Sequence, residues 1–189
     1  MFKIDNSKFY NDAIKKFGVS AQGVHWNSKY SQYKRFEIIT SCMKDLNQST
    51  LVDAGCGFGE YYAYLTLQKQ LPKEYIGVDC EINMIRIAQD RFAFLEFYVK
   101  NILKDTLIPS DYYVCSGAMN LLSKKEFFLF IGNAWEHSKK GFIFNFLKDE
   151  SFNRIKVKEV ITFCQTLNAT TIELRENYLN NDMTIFLKR

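Results

Sequence analysis

Short apolar runs alternate with helical patterns from about residue 49 onward. Runs bordered by turn residues and rich in branched or aromatic side chains predict strands, whereas apolar residues three and four apart predict helices. Predicted strands cover 49–54, 75–79, 95–99, 111–116, 141–147, 170–176 and 182–188. Predicted helices cover 31–46, 58–69, 82–92, 124–137 and 155–167, and the helix before 137 opens with a capping box of Ser123 and Glu126.

The alternation of strands and helices predicts a doubly wound α/β fold, with a mostly parallel sheet of about seven strands. The last two strands have no helix between them, so we expect a C-terminal antiparallel hairpin at one edge. The length of 189 residues favours one domain over 1–189. Within it we expect an N-terminal helical cap at 1–48, which covers the binding edge or packs beside it, and an α/β core at 49–189.

A glycine-rich loop links the first strand to the helix that follows it. In the segment LVDAGCGFGE, residues 51–60, the glycines Gly55, Gly57 and Gly59 alternate. Glycine permits the unusual dihedrals of a tight turn and lets a ligand approach the backbone. In an α/β sheet such a loop lies at the carboxyl ends of the strands, where ligands bind. A tight turn without a ligand is the alternative interpretation.

Two acids accompany this loop. Asp53 lies two residues before Gly55, and Asp79 ends the second predicted strand, where a carboxylate can accept hydrogen bonds from both ribose hydroxyls. A dinucleotide loop requires G-x-G-x-x-G/A, but its last position here is Glu60, which would repel a pyrophosphate. The spacing instead favours a nucleoside ligand without phosphate, such as S-adenosylmethionine, whose sulfonium cation is stabilised near carboxylates. A nicotinamide-dependent oxidoreductase remains the competing interpretation.

The loop resembles the first motif of class I S-adenosylmethionine-dependent methyltransferases, D/E-x-G-x-G-x-G. The segment YIGVDCEINMIRIAQDR, 75–91, is similar to the second motif of that family, and YYVCSGAMNLL, 112–122, resembles its strand-four motif. The resemblance covers roughly 49–188 and implies binding of S-adenosylmethionine, with S-adenosylhomocysteine as product. The cofactor contacts that it implies are Asp53, Gly55, Cys56, Gly57, Gly59, Asp79, Cys80, Met84, Asn101, Ile102, Ser116, Gly117 and Arg35.

The resemblance also implies roles for several of these residues. Asp79 would hold the ribose, Cys80 and Met84 would line the adenine, and Ser116 and Gly117 would face the methionyl part. Asn101 stands where the family often has an acid that binds the adenine amine. Arg35 would meet the cofactor carboxylate bidentately, and an ordinary surface ion pair is the alternative.

Methyl transfer from a sulfonium is an in-line displacement that depends mainly on alignment, so we assign no catalytic residue. Candidates on the acceptor side are His25, Trp26 and Asn120; His25 is a general base or a plain loop residue, and Trp26 a packing anchor or a stacking platform. The segment after the fourth strand lacks the two prolines typical of methyltransferases that act on nucleobase amines. A small-molecule acceptor is the main expectation. An RNA or protein acceptor, or a binding module without catalysis, stays open.

The charge distribution and the cysteine content add two smaller observations. Residues 1–48 hold eight Lys or Arg and four Asp or Glu, and the rest of the chain is balanced. This excess indicates either a solvated helical face or mild attraction for an anionic substrate. Five widely spaced cysteines without C-x-x-C give no zinc pattern, and the absence of a signal peptide or long apolar run predicts a cytoplasmic protein with no membrane contact.

Overall fold

A seven-stranded mixed sheet forms the centre of the computed structural model, which describes residues 28–148 and 155–189. Its strand order is β3-β2-β1-β4-β5-β7-β6. The strands are β1 (Thr50–Ala54), β2 (Glu74–Asp79), β3 (Glu96–Val99), β4 (Ser110–Ser116), β5 (Ser138–Leu147), β6 (Thr171–Arg175) and β7 (Asp182–Lys188). The first five are parallel, and β7 is antiparallel to both β5 and β6. The predicted fold class, with its antiparallel edge hairpin, is confirmed.

Five α-helices flank this sheet in the described part of the chain. They are α1 (Lys29–Ser41), α2 (Glu60–Gln68), α3 (Ile82–Arg91), α4 (Lys124–His137) and α5 (Val157–Gln165). The predicted capping box is present, because the Ser123 hydroxyl accepts from the Glu126 N–H and the Glu126 carboxylate accepts from the Ser123 N–H.

Two predicted boundaries were wrong by several residues. The helix predicted over 31–46 ends at Ser41, because the amides of Cys42 and Met43 bond three residues back in a tight turn, and a separate 3-10 turn follows at Leu46–Gln48. The strand predicted from residue 141 begins at Ser138, which pairs with Ser110 before a bulge shifts the register.

The sheet separates two apolar layers. The face that packs on α4 and α5 is rich in aromatic rings, and Phe142 and Phe144 stack along β5 with ring centroids 4.9 Å apart. The other face packs on α1, α2 and α3, where Phe36, Ile39 and Leu65 are buried. Successive strand residues point to opposite faces, so one alternation of apolar side chains supplies both layers.

Helix α1 is the described part of the predicted N-terminal cap. It contacts β4, β5 and β7, so it packs beside the sheet. None of the helices in residues 28–148 and 155–189 has the length and apolar character needed to cross a bilayer.

Candidate functional site

The loop between β1 and α2 is held in a left-handed conformation by its glycines. The φ angles of Gly55, Gly57 and Gly59 are 84°, 53° and 79°, a region that side chains disfavour. The amides of Gly55 and Cys56 both donate to the Val78 carbonyl, at 2.8 and 3.1 Å. The loop therefore lies against the carboxyl end of β2, as the spacing of the glycines predicts.

Two of these glycines are also required by the packing of the protein itself. A Cβ placed on Gly55 would lie 2.3 Å from the Cβ of Ala118, and one placed on Gly59 would lie 2.9 Å from the Phe92 ring. Both distances are far below van der Waals contact. The tight-turn interpretation therefore accounts for part of the motif, and the glycines alone do not establish a ligand.

Asp79 ties the end of β2 to the glycine loop. One carboxylate oxygen accepts from the Gly57 amide at 3.0 Å, and the other accepts from the Glu81 amide at 2.9 Å. A carboxylate oxygen has two lone pairs, so both oxygens keep acceptor capacity for a ligand hydroxyl. Burial raises the pKa of Asp79 to about 6, although the side chain is partly exposed at the surface of the site.

Asp53 lies beneath the same loop and is almost fully buried, with 3% of its surface exposed. The Tyr75 hydroxyl donates to it at 2.6 Å. Burial raises the pKa of Asp53 to about 7, the Tyr75 hydrogen bond opposes the shift, and the charge of Asp79 adds to it. A buried carboxylate beside a partly exposed one makes this end of the sheet a favourable place for a cation.

Sequence reasoning missed Tyr75, although a signal for it existed. Asp53 pairs across the sheet with Gly77, and Tyr75 lies two residues earlier on β2. Residues two apart on a strand share a face. Once the strand pairing is known, Tyr75 therefore falls on the same face as Asp53.

Glu60 does not act as the free anion that the sequence argument assumed. Its carboxylate pairs with Arg91 at 2.7 Å, and Arg91 also donates to the Phe58 carbonyl at 2.8 Å. The argument that Glu60 repels a pyrophosphate is therefore weakened by a matched charge. Asp53 and Asp79 are the stronger obstacle to a phosphate at this loop.

The residues implied on the adenine side are divided between surface and core. Cys80 is exposed, whereas Met84 and Ile102 are buried, at 2% and 5% exposure. The side-chain oxygen of Asn101 accepts from the Leu103 amide at 2.9 Å, so it already closes a local turn. That bond competes with the role of acceptor for an adenine amine.

The residues implied on the methionyl side, Ser116 and Gly117, lie at the carboxyl end of β4. Ser116 accepts a hydrogen bond from the Asn145 side chain at 3.3 Å, and Gly117 has a φ of 78°. Asn120, a candidate on the acceptor side, accepts from the Leu147 amide at 3.2 Å. These contacts join the loop after β4 to the end of β5.

Arg35 has a partner other than the one that the resemblance implies. It forms a buried bidentate ion pair with Asp182 at the start of β7, with Nη2 2.8 Å from Oδ2. The alternative of an ion pair describes this contact, except that the pair is buried rather than on the surface. His25 and Trp26 lie outside the described residues.

Two of the three positive charges of α1 have carboxylate partners within the described residues. Lys34 pairs with Glu37 at 2.9 Å, and the Lys29 ammonium lies 5.0 Å from the centre of the Tyr33 ring. These contacts balance part of the charge of helix α1. The lysines before residue 28 lie outside the described residues.

Solved structures share this architecture across nearly the whole chain. The magnesium protoporphyrin IX methyltransferase of Synechocystis PCC 6803, solved with bound S-adenosylmethionine, is 14% identical, with 98% of each chain covered and a TM-score of 0.71. An S-adenosylmethionine-dependent methyltransferase from Clostridium acetobutylicum is 13% identical, covering 97% of this chain and 99% of that one, with a TM-score of 0.69. A TehB-like methyltransferase from Corynebacterium glutamicum is 15% identical, covering 97% and 98%, with a TM-score of 0.68.

No protein-family model matches the chain, and no curated protein matches its sequence. The similar structures establish the fold: the chain has the class I methyltransferase fold, in agreement with the resemblance of its glycine loop.

Proposed function

We propose that this chain is an S-adenosylmethionine-dependent methyltransferase that acts on a small-molecule acceptor. The observation that carries the proposal is the Asp79 carboxylate, fixed at the glycine loop by the Gly57 amide, with Asp53 buried beneath the same loop. When bound, S-adenosylmethionine supplies a methyl group that is already activated by its attachment to a sulfonium.

The residues at the loop suit this cofactor by their charge and by their open lone pairs. Asp79 is the group that would accept hydrogen bonds from the ribose hydroxyls. Asp53 and Asp79 together favour a ligand with positive charge and disfavour a pyrophosphate. Gly57, at the centre of the loop, has a left-handed φ and no side chain between its backbone and a ligand.

A small acceptor is favoured by the absence of a dense cationic surface on the described helix α1, where Lys34 and Arg35 pair with carboxylates and Lys29 lies over the Tyr33 ring. An RNA acceptor would be expected to meet a cluster of free Lys and Arg side chains. Among the similar structures, the Synechocystis enzyme is named for a small-molecule acceptor, magnesium protoporphyrin IX.

The chain's own contribution to the reaction is positioning. The glycine loop and the fixed carboxylates would hold the bound molecule in one orientation, and alignment accounts for much of the rate gain in a displacement of this kind. No general base is assigned, because an acceptor that reacts as a neutral nucleophile needs none before attack.

Isothermal titration with S-adenosylmethionine and with NAD tests the proposal. We expect S-adenosylmethionine to bind wild-type protein and Asp79→Ala to weaken binding by about 10- to 100-fold, since hydrogen bonds to a charged group are lost. Asp90→Ala, at an exposed acid of α3, is the matched control and should bind normally. Binding of NAD in place of S-adenosylmethionine would refute the proposal.

Transfer of a labelled methyl group from S-adenosylmethionine to a pool of small metabolites then tests catalysis. Labelled product is expected with wild-type protein and much less with Asp79→Ala at the same sub-saturating cofactor concentration. Tight binding of the cofactor without transfer to any pool would instead support a binding module without catalysis.

A further inference from the structure

Gln32 lies at the ligand edge of the sheet, on the face of α1 that is turned toward the strands. Arg35 on the same face reaches Asp182, which pairs with Leu147, the last residue of β5. Helix α1 runs from this edge toward the amino end of β1, and three residues are close to one helical turn. Gln32 is therefore about one turn nearer than Arg35 to the carboxyl ends of β4 and β5.

The side chain of Gln32 is buried with an unmet hydrogen-bonding requirement. Only 2% of the residue is exposed, and in the part of the chain that the structure describes its Oε1 has no hydrogen-bond partner. Polar groups on the same face of the sheet have partners: Asn145 donates to Ser116, and the Tyr178 and Thr184 hydroxyls lie 2.7 Å apart. Leaving a buried acceptor unpaired is unfavourable, so such an atom at a ligand edge indicates a donor on a bound molecule.

The charges near Gln32 indicate what kind of molecule supplies that donor. Arg35 is matched by Asp182 and Lys34 by Glu37, and the exposed Lys29 ammonium lies over the Tyr33 ring. A carboxylate or phosphate placed here would have to compete with those acids for the cations. An uncharged donor requires only an acceptor, which Gln32 provides.

We propose that Gln32 determines acceptor specificity by accepting a hydrogen bond from the O–H or N–H group of an uncharged acceptor molecule. The inference rests on the proposed function and names the chemical class of its acceptor. A side-chain amide is not a base at neutral pH, so Gln32 orients the acceptor without removing its proton. It is a specificity residue rather than a general base.

Binding of small probes to protein saturated with S-adenosylhomocysteine tests this assignment without relying on turnover. The uncharged probes are 4-methylphenol and benzamide, and the anionic probes are benzoate and phenyl phosphate, each followed by ligand-detected NMR. The test variant is Gln32→Leu, which keeps a similar volume but removes the acceptor. The control is Thr40→Val, which removes a buried hydroxyl from the same helix at a site bonded to Phe36 and Tyr61.

We expect the uncharged probes to bind wild-type protein more tightly than the anions. Gln32→Leu should weaken their binding about tenfold, the effect of one hydrogen bond, while Thr40→Val leaves it unchanged. The affinity for S-adenosylhomocysteine should be the same in all three proteins.

Tighter binding of the anions, equal binding of the uncharged probes to wild type and Gln32→Leu, or no binding of any probe would overturn the inference. So would a Gln32→Leu variant that loses affinity for S-adenosylhomocysteine but not for 5′-methylthioadenosine, because Gln32 would then contact the amino-acid tail of the cofactor. Failure of wild-type protein to bind S-adenosylhomocysteine at all would reject the proposed function itself, and the acceptor assignment with it.

Discussion

The buried ion pair between Arg35 and Asp182 should make both residues costly to replace singly and nearly neutral to replace together. Their side chains are only 8% and 4% exposed, so the pair is almost wholly withdrawn from water. Arg35→Met leaves the Asp182 charge buried without its bidentate partner. Breaking a buried pair in this way costs about 3–5 kcal/mol, a large part of the roughly 5–15 kcal/mol by which a domain is stable.

The double variant Arg35→Met/Asp182→Leu should recover most of that loss, since apolar side chains of similar volume often replace a buried ion pair without penalty. Lys34→Met serves as the control, because its pair with Glu37 is 28% and 55% exposed and should contribute less than about 1 kcal/mol.

Urea unfolding of wild type, Arg35→Met, Asp182→Leu, the double variant and Lys34→Met measures these differences through the linear dependence of the unfolding free energy on denaturant. A single-variant loss no larger than that of the Lys34→Met control, or losses that simply add in the double variant, would refute the reasoning.

The affinity of the double variant for S-adenosylmethionine tests separately whether Arg35 contacts the cofactor. An unchanged value assigns Arg35 to stability, and a loss of tenfold or so would restore its implied contact with the cofactor carboxylate.

Three further predictions concern the glycine loop and its acids. Gly55→Ala should lower the unfolding free energy by at least about 2 kcal/mol, since it combines a left-handed φ with a Cβ 2.3 Å from that of Ala118, and thermal melting of the variant against wild type checks this. Tyr75→Phe removes the 2.6 Å hydrogen bond that lowers the pKa of Asp53, so it should cost about 1–3 kcal/mol above that pKa and less below it, where the carboxyl is neutral; urea titrations on either side of the pKa decide the matter. Burial raises the pKa of Asp53 to about 7 and that of Asp79 to about 6, from 3.8 in each case, so the folded protein binds these protons more tightly than the unfolded chain. Their contribution to the unfolding free energy is therefore complete below pH 3.8 and is lost as the pH rises through 6 and 7. The unfolding free energy of the ligand-free protein is measured over a pH series. A contribution from these two carboxyls that rises between pH 3.8 and 7 would contradict the assignment.

The fold was predictable because the spacing of apolar residues indicates each strand and helix. Alternating strand and helix patterns gave the parallel sheet, and the missing crossover helix before β7 gave the antiparallel edge. The errors lie at element ends, such as Ser41 and Ser138, where the backbone leaves its pattern through tight-turn bonds or a bulge. Such local features depend on tertiary contacts that a single sequence does not display.

The site was predictable only in part. The proximity of Asp79 to the glycine loop was predictable because the motif is contiguous and its acid ends a strand. The Arg35–Asp182 pair joins residues 147 positions apart, and no periodicity indicates which strand α1 will meet. The unpaired oxygen of Gln32 is likewise a property of assembled burial, because the sequence shows only a polar residue on a helix face.

The close contacts of Gly55 and Gly59 have a consequence for how related chains should be compared. Because Ala118 and the Phe92 ring occupy the space that side chains would need, folding alone is enough to preserve both glycines. A descendant that had ceased to bind any nucleoside would keep this part of the motif under selection for stability. Selection acts differently on Asp79. An asparagine of the same shape can still accept one of its two backbone hydrogen bonds and would remove a partly buried charge. Drift at Asp79 with the glycines intact would therefore mark the lineages in which the binding function had been abandoned.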